Sequence, residues 1–311
     1  MEFANTKKSH YKGNLMIIAA TIIWGAGMSA QAAGMSYVSP LTFNAARFFI
    51  GGTVALILWF VRYRKSALPR GNSSIVFSKS TVTAGIICGV VLCLAINFQQ
   101  FGLLFTTVAN ASFITSLYVI IVPIVCLVAF KKRVSAFVWI SVAIAMMGIY
   151  FLSLSAGVNI NPGDILVFFC ALAFSAQIII ISHFSPKHNV FALACVQFYT
   201  VFIVSLFFAV IFETLATADL FAAGPYVLYT GVLSSGVAYI LQMNAQKTIE
   251  PTVAAVLFSF EGVVATFTGW FVLNQILSPR ELLGCVLIFI AILVAQVPPR
   301  KVISSAEADV L

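Results

Sequence analysis

Charge is what this sequence has least of. Of its 311 residues only 8% are Asp, Glu, Lys or Arg, against 61% hydrophobic, and the mean hydropathy is +1.07. That scarcity excludes a water-soluble globule with a polar exterior. Histidine is rarer still: His10, His183 and His188 fall in the N-terminal tail and one loop, without HExxH or Cys/His spacing, so no metal or other cofactor is expected. No GxxxxGK[ST] loop is present, which excludes ATP hydrolysis by this chain itself and leaves a gradient or an exchange as the energy source. The six cysteines form no CxxC pair and all lie inside apolar runs, where they read as small packing residues. "SHFSPKH" lacks a positioned acid and reads as a loop, and no cluster of His, Asp or Glu gathers at one end of the runs. An enzyme is not expected.

Long apolar runs are what the sequence has in their place. Ten of them approach the roughly 20 residues that cross a bilayer: Gly13–Ala33, Leu41–Val61, Val82–Leu104, Val108–Phe130, Val134–Leu154, Gly163–Ile181, Val190–Phe212, Ala223–Gln242, Thr252–Leu273 and Pro279–Val297. None alternates polar and apolar residues as a barrel strand would, so the runs predict helices. Alternate loops and the tails hold nearly all the cations, among them Lys7, Lys8, Arg62, Arg64, Lys131, Arg133, Lys187 and Lys247. Asp164, Glu213, Asp219 and Glu281 fall on the other side. Both termini are therefore expected in the cytoplasm, in a multi-pass protein of the inner or plasma membrane. The net charge of +8 follows from that asymmetry and calls for no nucleic-acid partner.

Punctuation marks several helix starts. "SPRE" places Ser278, Pro279 and Glu281 as a capping box, "NPGD" offers Asn161, Pro162 and Asp164 in the same roles, and Ser39–Pro40 opens the second run. Pro123 inside the fourth run predicts a distortion there. Slid along itself by half its length, the chain sets "GNLMIIAATIIWGA" on "GDILVFFCALAFSA" and "NAARFF" on "ACVQFY". A slightly smaller shift sets "ANASFITSLY" on "TVAAVLFSFE", pairing Ser116 with Ser259. Two five-span halves follow, and because five is odd the second enters from the opposite face. The expected organisation is a tail at 1–12, a first half at 13–154, a linker at 155–162 outside the cytoplasm, a second half at 163–297 and a tail at 298–311.

Gly231–Pro298 resembles the C-terminal half of an EamA-type member of the drug/metabolite transporter superfamily, and "GNLMIIAATIIWGAGM" with "LTFNAARFFIGG" resembles the N-terminal half, including the arginine of the second span. The resemblance implies a ten-span secondary carrier, many such proteins being exporters of amino acids or other small metabolites. The chain departs from the family pattern at Asn274 and Gln275, at Lys132 and Arg133, and at Gly262 after Glu261.

Ionisable residues inside the runs are few, and at bilayer depth each faces a cavity or a partner. Arg47 lies roughly 9 Å below the outer end of its helix. Its repeat mate Gln197 is also polar, so the pair points to a shared cavity where Arg47 binds a carboxylate. The other reading is an arginine that snorkels or pins two helices. Glu261 lies roughly 15 Å into its span. It is either a proton-coupling group or a structural carboxylate, bonded to a neighbouring helix or paired with Arg47. Further cavity candidates are Trp24, Asn97, Gln99, Gln100, Asn110, Ser116, Tyr118, Gln177, Tyr239 and Gln242, each alternatively an interhelical hydrogen-bonding group. Trp59, Tyr63 and Trp270 fit interfacial belts.

The reading is an all-α integral membrane protein of two inverted five-helix repeats around a midplane cavity, working by alternating access. Arg47, Gln197, Trp24, Gln177, Asn97, Tyr118 and Tyr239 are the expected substrate contacts, and Glu261 the proton site or counter-ion. The expected substrate is a small molecule, an amino acid or related metabolite bearing a carboxylate. A drug, sugar or nucleotide-type solute, or a receptor or scaffold without flux, are the alternatives. The bilayer is the expected partner, and a homodimer is compatible with the sequence.

Overall fold

Within a membrane each backbone N–H and C=O must find its partner in the chain, so continuous apolar runs fold as helices. The computed structural model describes residues 2–65, 77–153, 161–214, 217–273 and 278–297. Most of the expected linker, the C-terminal tail, and Asn274 and Gln275 lie outside them. The first half comprises α1 (Glu2–Gly34), α2 (Pro40–Lys65), α3 (Lys79–Gly102), α4 (Val108–Thr115), α5 (Tyr118–Val128) and α6 (Ala136–Ser153). The second comprises α7 (Pro162–Phe184), α8 (Val190–Phe212), α9 (Thr217–Ala222), α10 (Gly224–Leu228), a π-helix (Tyr229–Ala238), α11 (Tyr239–Ala245), α12 (Pro251–Phe258), α13 (Phe260–Leu273) and α14 (Pro279–Ala295).

Joining α4 to α5, α10 to α11 and α12 to α13 as interrupted spans, eight helices among the described residues are long and apolar enough to cross a membrane. Of the ten expected spans, α6 and α14, with 18 and 17 residues, sit at the short end of what a bilayer requires. The exterior is apolar: Leu94, Phe207, Ile211, Phe212 and Phe289 are exposed, whereas Arg47, Gln100, Gln177 and Gln197 are buried. That is the reverse of a soluble protein and fits lipid as the solvent.

The expected caps form. Asn161 accepts from Asp164 N at 3.0 Å while Asp164 accepts from Asn161 N at 3.1 Å, and Ser278 and Glu281 make the same reciprocal pair at 3.2 and 2.8 Å. The start of α2 is held differently: Glu213, just beyond α8, accepts from Leu41 N, Thr42 N and Thr42 Oγ1 at 2.9, 2.8 and 2.7 Å. A carboxylate from one helix thus satisfies the orphan N–H groups of another.

Two of the three interrupted spans break at the serines that the sequence pairs. Ser116 closes α4 and donates to Ser112 O at 2.8 Å, and Ser259 closes α12 and donates to Val256 O at 2.6 Å. Pro123 lies inside α5, downstream of its break. The matching break at Ser259 forms with Thr266 at the equivalent position, so the interruption does not depend on the proline.

The helices pack in matching sets. α2 packs on α8 and α6 on α14, while α3 packs on α7 and α8 as α11 and the π-helix pack on α1 and α2. The α6–α14 crossing is closest at Gly148 and Gly284, where a Cβ on either residue would lie 2.8 or 2.7 Å from the other's carbonyl oxygen. Only glycine admits that backbone approach.

Candidate functional site

The crossing helices leave a cavity between them. It is lined from α1 by Trp24 and Gln31, from α2 by Arg47, from α3 by Gln99, and from the first break by Thr115 and Tyr118. The second half supplies Phe174, Gln177 and Ile178 from α7, Ser234 from the π-helix, Tyr239 and Gln242 from α11, and Phe258 and Glu261 from the second break. Breaking α4–α5 and α12–α13 at this level turns Tyr118 and Glu261 inward at the first turns of α5 and α13.

Arg47 is 3% exposed, and its guanidinium carbon sits 4.9 Å from the Phe48 ring centroid and 5.8 Å from that of Phe43. The π-faces hold the cation without neutralising it. Its Nε has no hydrogen-bond partner. Glu261 lines the same cavity, but the two charges form no ion pair with each other.

An aromatic wall stands beside them. Trp24 donates from Nε1 to Ser234 O at 3.1 Å, and its ring meets Tyr239 edge-on at 4.9 Å and Phe258 at 5.7 Å. The π-helix makes the first bond available, since its wider turns leave carbonyls off the regular ladder. Also in the lining, Gln242 donates to Gln177 Oε1 at 3.1 Å, and Gln99 donates to Thr115 Oγ1 at 3.4 Å.

Of the residues expected from sequence, Arg47, Trp24, Gln177, Tyr118, Tyr239 and Glu261 come together in this cavity, and Gln99 and Gln242 join them. Asn97 and Gln197 do not. Asn97 lies two residues from Gln99, about 200° around the helix. It faces away, accepting from Asn44 Nδ2 at 2.8 Å and donating to Cys93 O at 2.8 Å. Gln197 is fully buried on α8 outside the lining, its amide atoms without a partner. An amide ends two atoms short of a guanidinium, so the mate of Arg47 stops within the helix packing. Gln100 is likewise buried and unpartnered.

The lining also contains Gln31, Thr115, Phe174, Ile178, Ser234 and Phe258, which polarity alone did not single out. Gln31 had a signal: it follows Trp24 by two helical turns on one face. The repeat held a stronger one. The shifts that align the halves pair Trp24 with Phe174, Thr115 with Phe258, Tyr118 with Glu261 and Gln99 with Gln242, and every member of those pairs lines the cavity. Among the described residues no group of His, Cys, Asp and Glu is arranged to hold a metal ion.

Against known proteins, the profile of the EamA-like transporter family matches twice, at residues 11–154 and 161–296. A relative from Archaeoglobus fulgidus, named an uncharacterized transporter, is 34% identical over 287 residues, covering 91% of this chain and 85% of its own. Two Bacillus subtilis proteins, the uncharacterized transporters YoaV and YwfM, are 22% and 26% identical over 88% and 93% of this chain. A solved crystal structure, 17% identical, shares the fold with a TM-score of 0.76 over 91% of this chain and 96% of the other.

Proposed function

The chain belongs to the EamA-like transporter family, a multi-pass membrane transporter family of the drug/metabolite transporter superfamily, and from that premise we propose that it is a secondary carrier for a small carboxylate-bearing solute. Amino acids and related metabolites moved outward are the favoured substrates. In this reading ten spans form two inverted five-helix halves with both termini in the cytoplasm, and rocking of the halves exposes the cavity to each side in turn. The matching helix contacts, the serine breaks and the paired lining residues support that organisation.

One observation carries the substrate class: Arg47 is a buried cation beside a cavity, cradled by two rings and left without a counter-ion. Burying an unpaired charge is costly, so such a residue persists where a ligand completes it. A carboxylate fits, because a guanidinium accepts it through two parallel hydrogen bonds. Trp24, Tyr239 and Tyr118 then face the rest of the solute. Glu261 holds either a proton that moves in exchange or the cationic group of a zwitterion.

The test is counterflow of a pooled amino-acid and carboxylate mixture in proteoliposomes, read by mass spectrometry. Saturable movement of one solute class is expected, lost in Arg47→Ala while the protein remains folded and inserted. Movement that Arg47→Ala leaves unchanged overturns the assignment of Arg47.

A further inference from the structure

The two ends of the cavity are not closed alike. Where α7 ends and α8 begins, long side chains join α7 to α11 across the cavity. Gln246 donates from Nε2 to Ile178 O at 2.9 Å and contacts Ser182 Oγ at 2.9 Å, one turn beyond the Gln177–Gln242 bond. Gln246 is 2% exposed and does not line the cavity. The backbones of α7 and α11 are not themselves packed together, since α7 leans on α3 and α11 on α1. Buried apolar residues flank the crossing, Ile178 and Ala245 in one core cluster and Ile181, Ile240 and Met243 in another, and the side-chain amides are the polar ties between the two helices.

At the other end the repeat-equivalent helices α1 and α3 carry Gly27, Ala32 and Leu103 where α7 and α11 carry Gln177, Ser182 and Gln246. Among the described residues no side-chain hydrogen bond joins α1 to α3, and the cavity lining reaches Gln31 toward that end, whose buried Oε1 has no partner. A polar seam continues past the latch on α7, where Ile178, Ser182 and Ser185 share one face and the buried Ser185 hydroxyl is unpartnered.

We propose that Gln246 is the latch of a gate at the α7–α8 end: its bonds to Ile178 and Ser182 seal the cavity there, and they break when solute passes by that end. Neutral hydrogen bonds suit the task, because each exchanges with water at small net cost when the helices part. An ion pair would cost more to separate and rehydrate at each cycle. The inference rests on the carrier reading, and its test needs no substrate.

The experiment uses the full chain in oriented membrane vesicles, with Ile178→Cys as a reporter facing the cavity and a membrane-impermeant maleimide applied to each face in turn. Labelling of the parent chain, whose own cysteines are buried, sets the background. Adding Gln246→Leu is expected to speed labelling several-fold from the α7–α8 face and to leave the other face unchanged. Ser182→Ala, which removes one partner, should give a smaller change in the same direction. Unchanged rates in both variants, or equal acceleration from both faces, overturn the gate. Should Gln246→Leu fail to reach the membrane folded, Gln246→Asn, whose shorter side chain loses the reach, is read by the same criteria.

Discussion

The single residue that most shapes this molecule is Arg47. A guanidinium in a protein-lined cavity without a counter-ion opposes folding, because its lost hydration is only partly replaced by the rings of Phe43 and Phe48. Arg47→Leu is therefore expected to stabilise the detergent-solubilised protein by on the order of 1 kcal/mol while abolishing solute binding. A residue that merely pinned two helices would lose stability on the same change, and a thermal melt distinguishes the two. Glu261 invites a different measurement. If it carries the exchanged proton, Glu261→Gln flattens the pH dependence of transport, and a profile that keeps its shape in the variant removes that role. Outside the spans, His188 contacts Thr81 Oγ1 at 3.1 Å, and burial, with Lys187 nearby, lowers its pKa from the ordinary 6.5. The folded loop thus favours the neutral ring, so this contribution to stability is complete above pH 6.5 and declines as pH falls. An NMR titration of His188 should give a midpoint below 6.5.

Individual helices depend on their ends and interruptions. Glu213 makes three hydrogen bonds to the first turn of α2, and Glu213→Ala should cost about 1–2 kcal/mol in a chemical or thermal unfolding assay. Ser278→Ala, which removes the cap of α14, should cost about 1 kcal/mol by the same assay. The π-helix has its own explanation in the repeat. Gly89 meets Gln197 O and Thr200, and Gly231 meets Arg47 O and Ile50, which are the equivalent contacts in the two halves. From those glycines to the paired Gln99 and Gln242 the second half contains one residue more than the first. The wider turn absorbs that residue and leaves the Ser234 carbonyl to Trp24.

Across the whole molecule, lipid outside and a polar cavity inside mean that cohesion comes from close backbone contact more than from apolar burial. The crossing at Gly148 and Gly284 joins the two halves where α6 meets α14. Gly284→Leu would force that crossing apart and should cost several-fold in folded yield, whereas Gly224→Ala, with nothing within 4 Å of the new Cβ, should be silent. Fluorescence-detected size exclusion of the two variants provides the comparison.

Much of the fold is legible in the sequence. Apolar length predicts helices because the bilayer leaves the backbone no other partner, and the caps at Asn161 and Ser278 follow from short-range chemistry that reads directly from residue order. The self-similarity likewise placed Ser116 opposite Ser259, where the two helices break. The site was legible only in part. Polarity located Arg47, Glu261, Trp24 and Gln177, but it also nominated Asn97 and Gln197, which do not line the cavity, and passed over Phe174 and Phe258, which do. Which side of a helix looks inward depends on how neighbouring helices lean, and a π-turn shifts that facing by one residue within a span. The sequence by itself therefore determined the helices, their ends and the few residues able to carry charge in lipid. Tertiary structure alone decided that Arg47 and Glu261 share a cavity without pairing and that Gln246 ties α11 to Ile178 and Ser182 of α7, because both are matters of distance between helices remote in the chain.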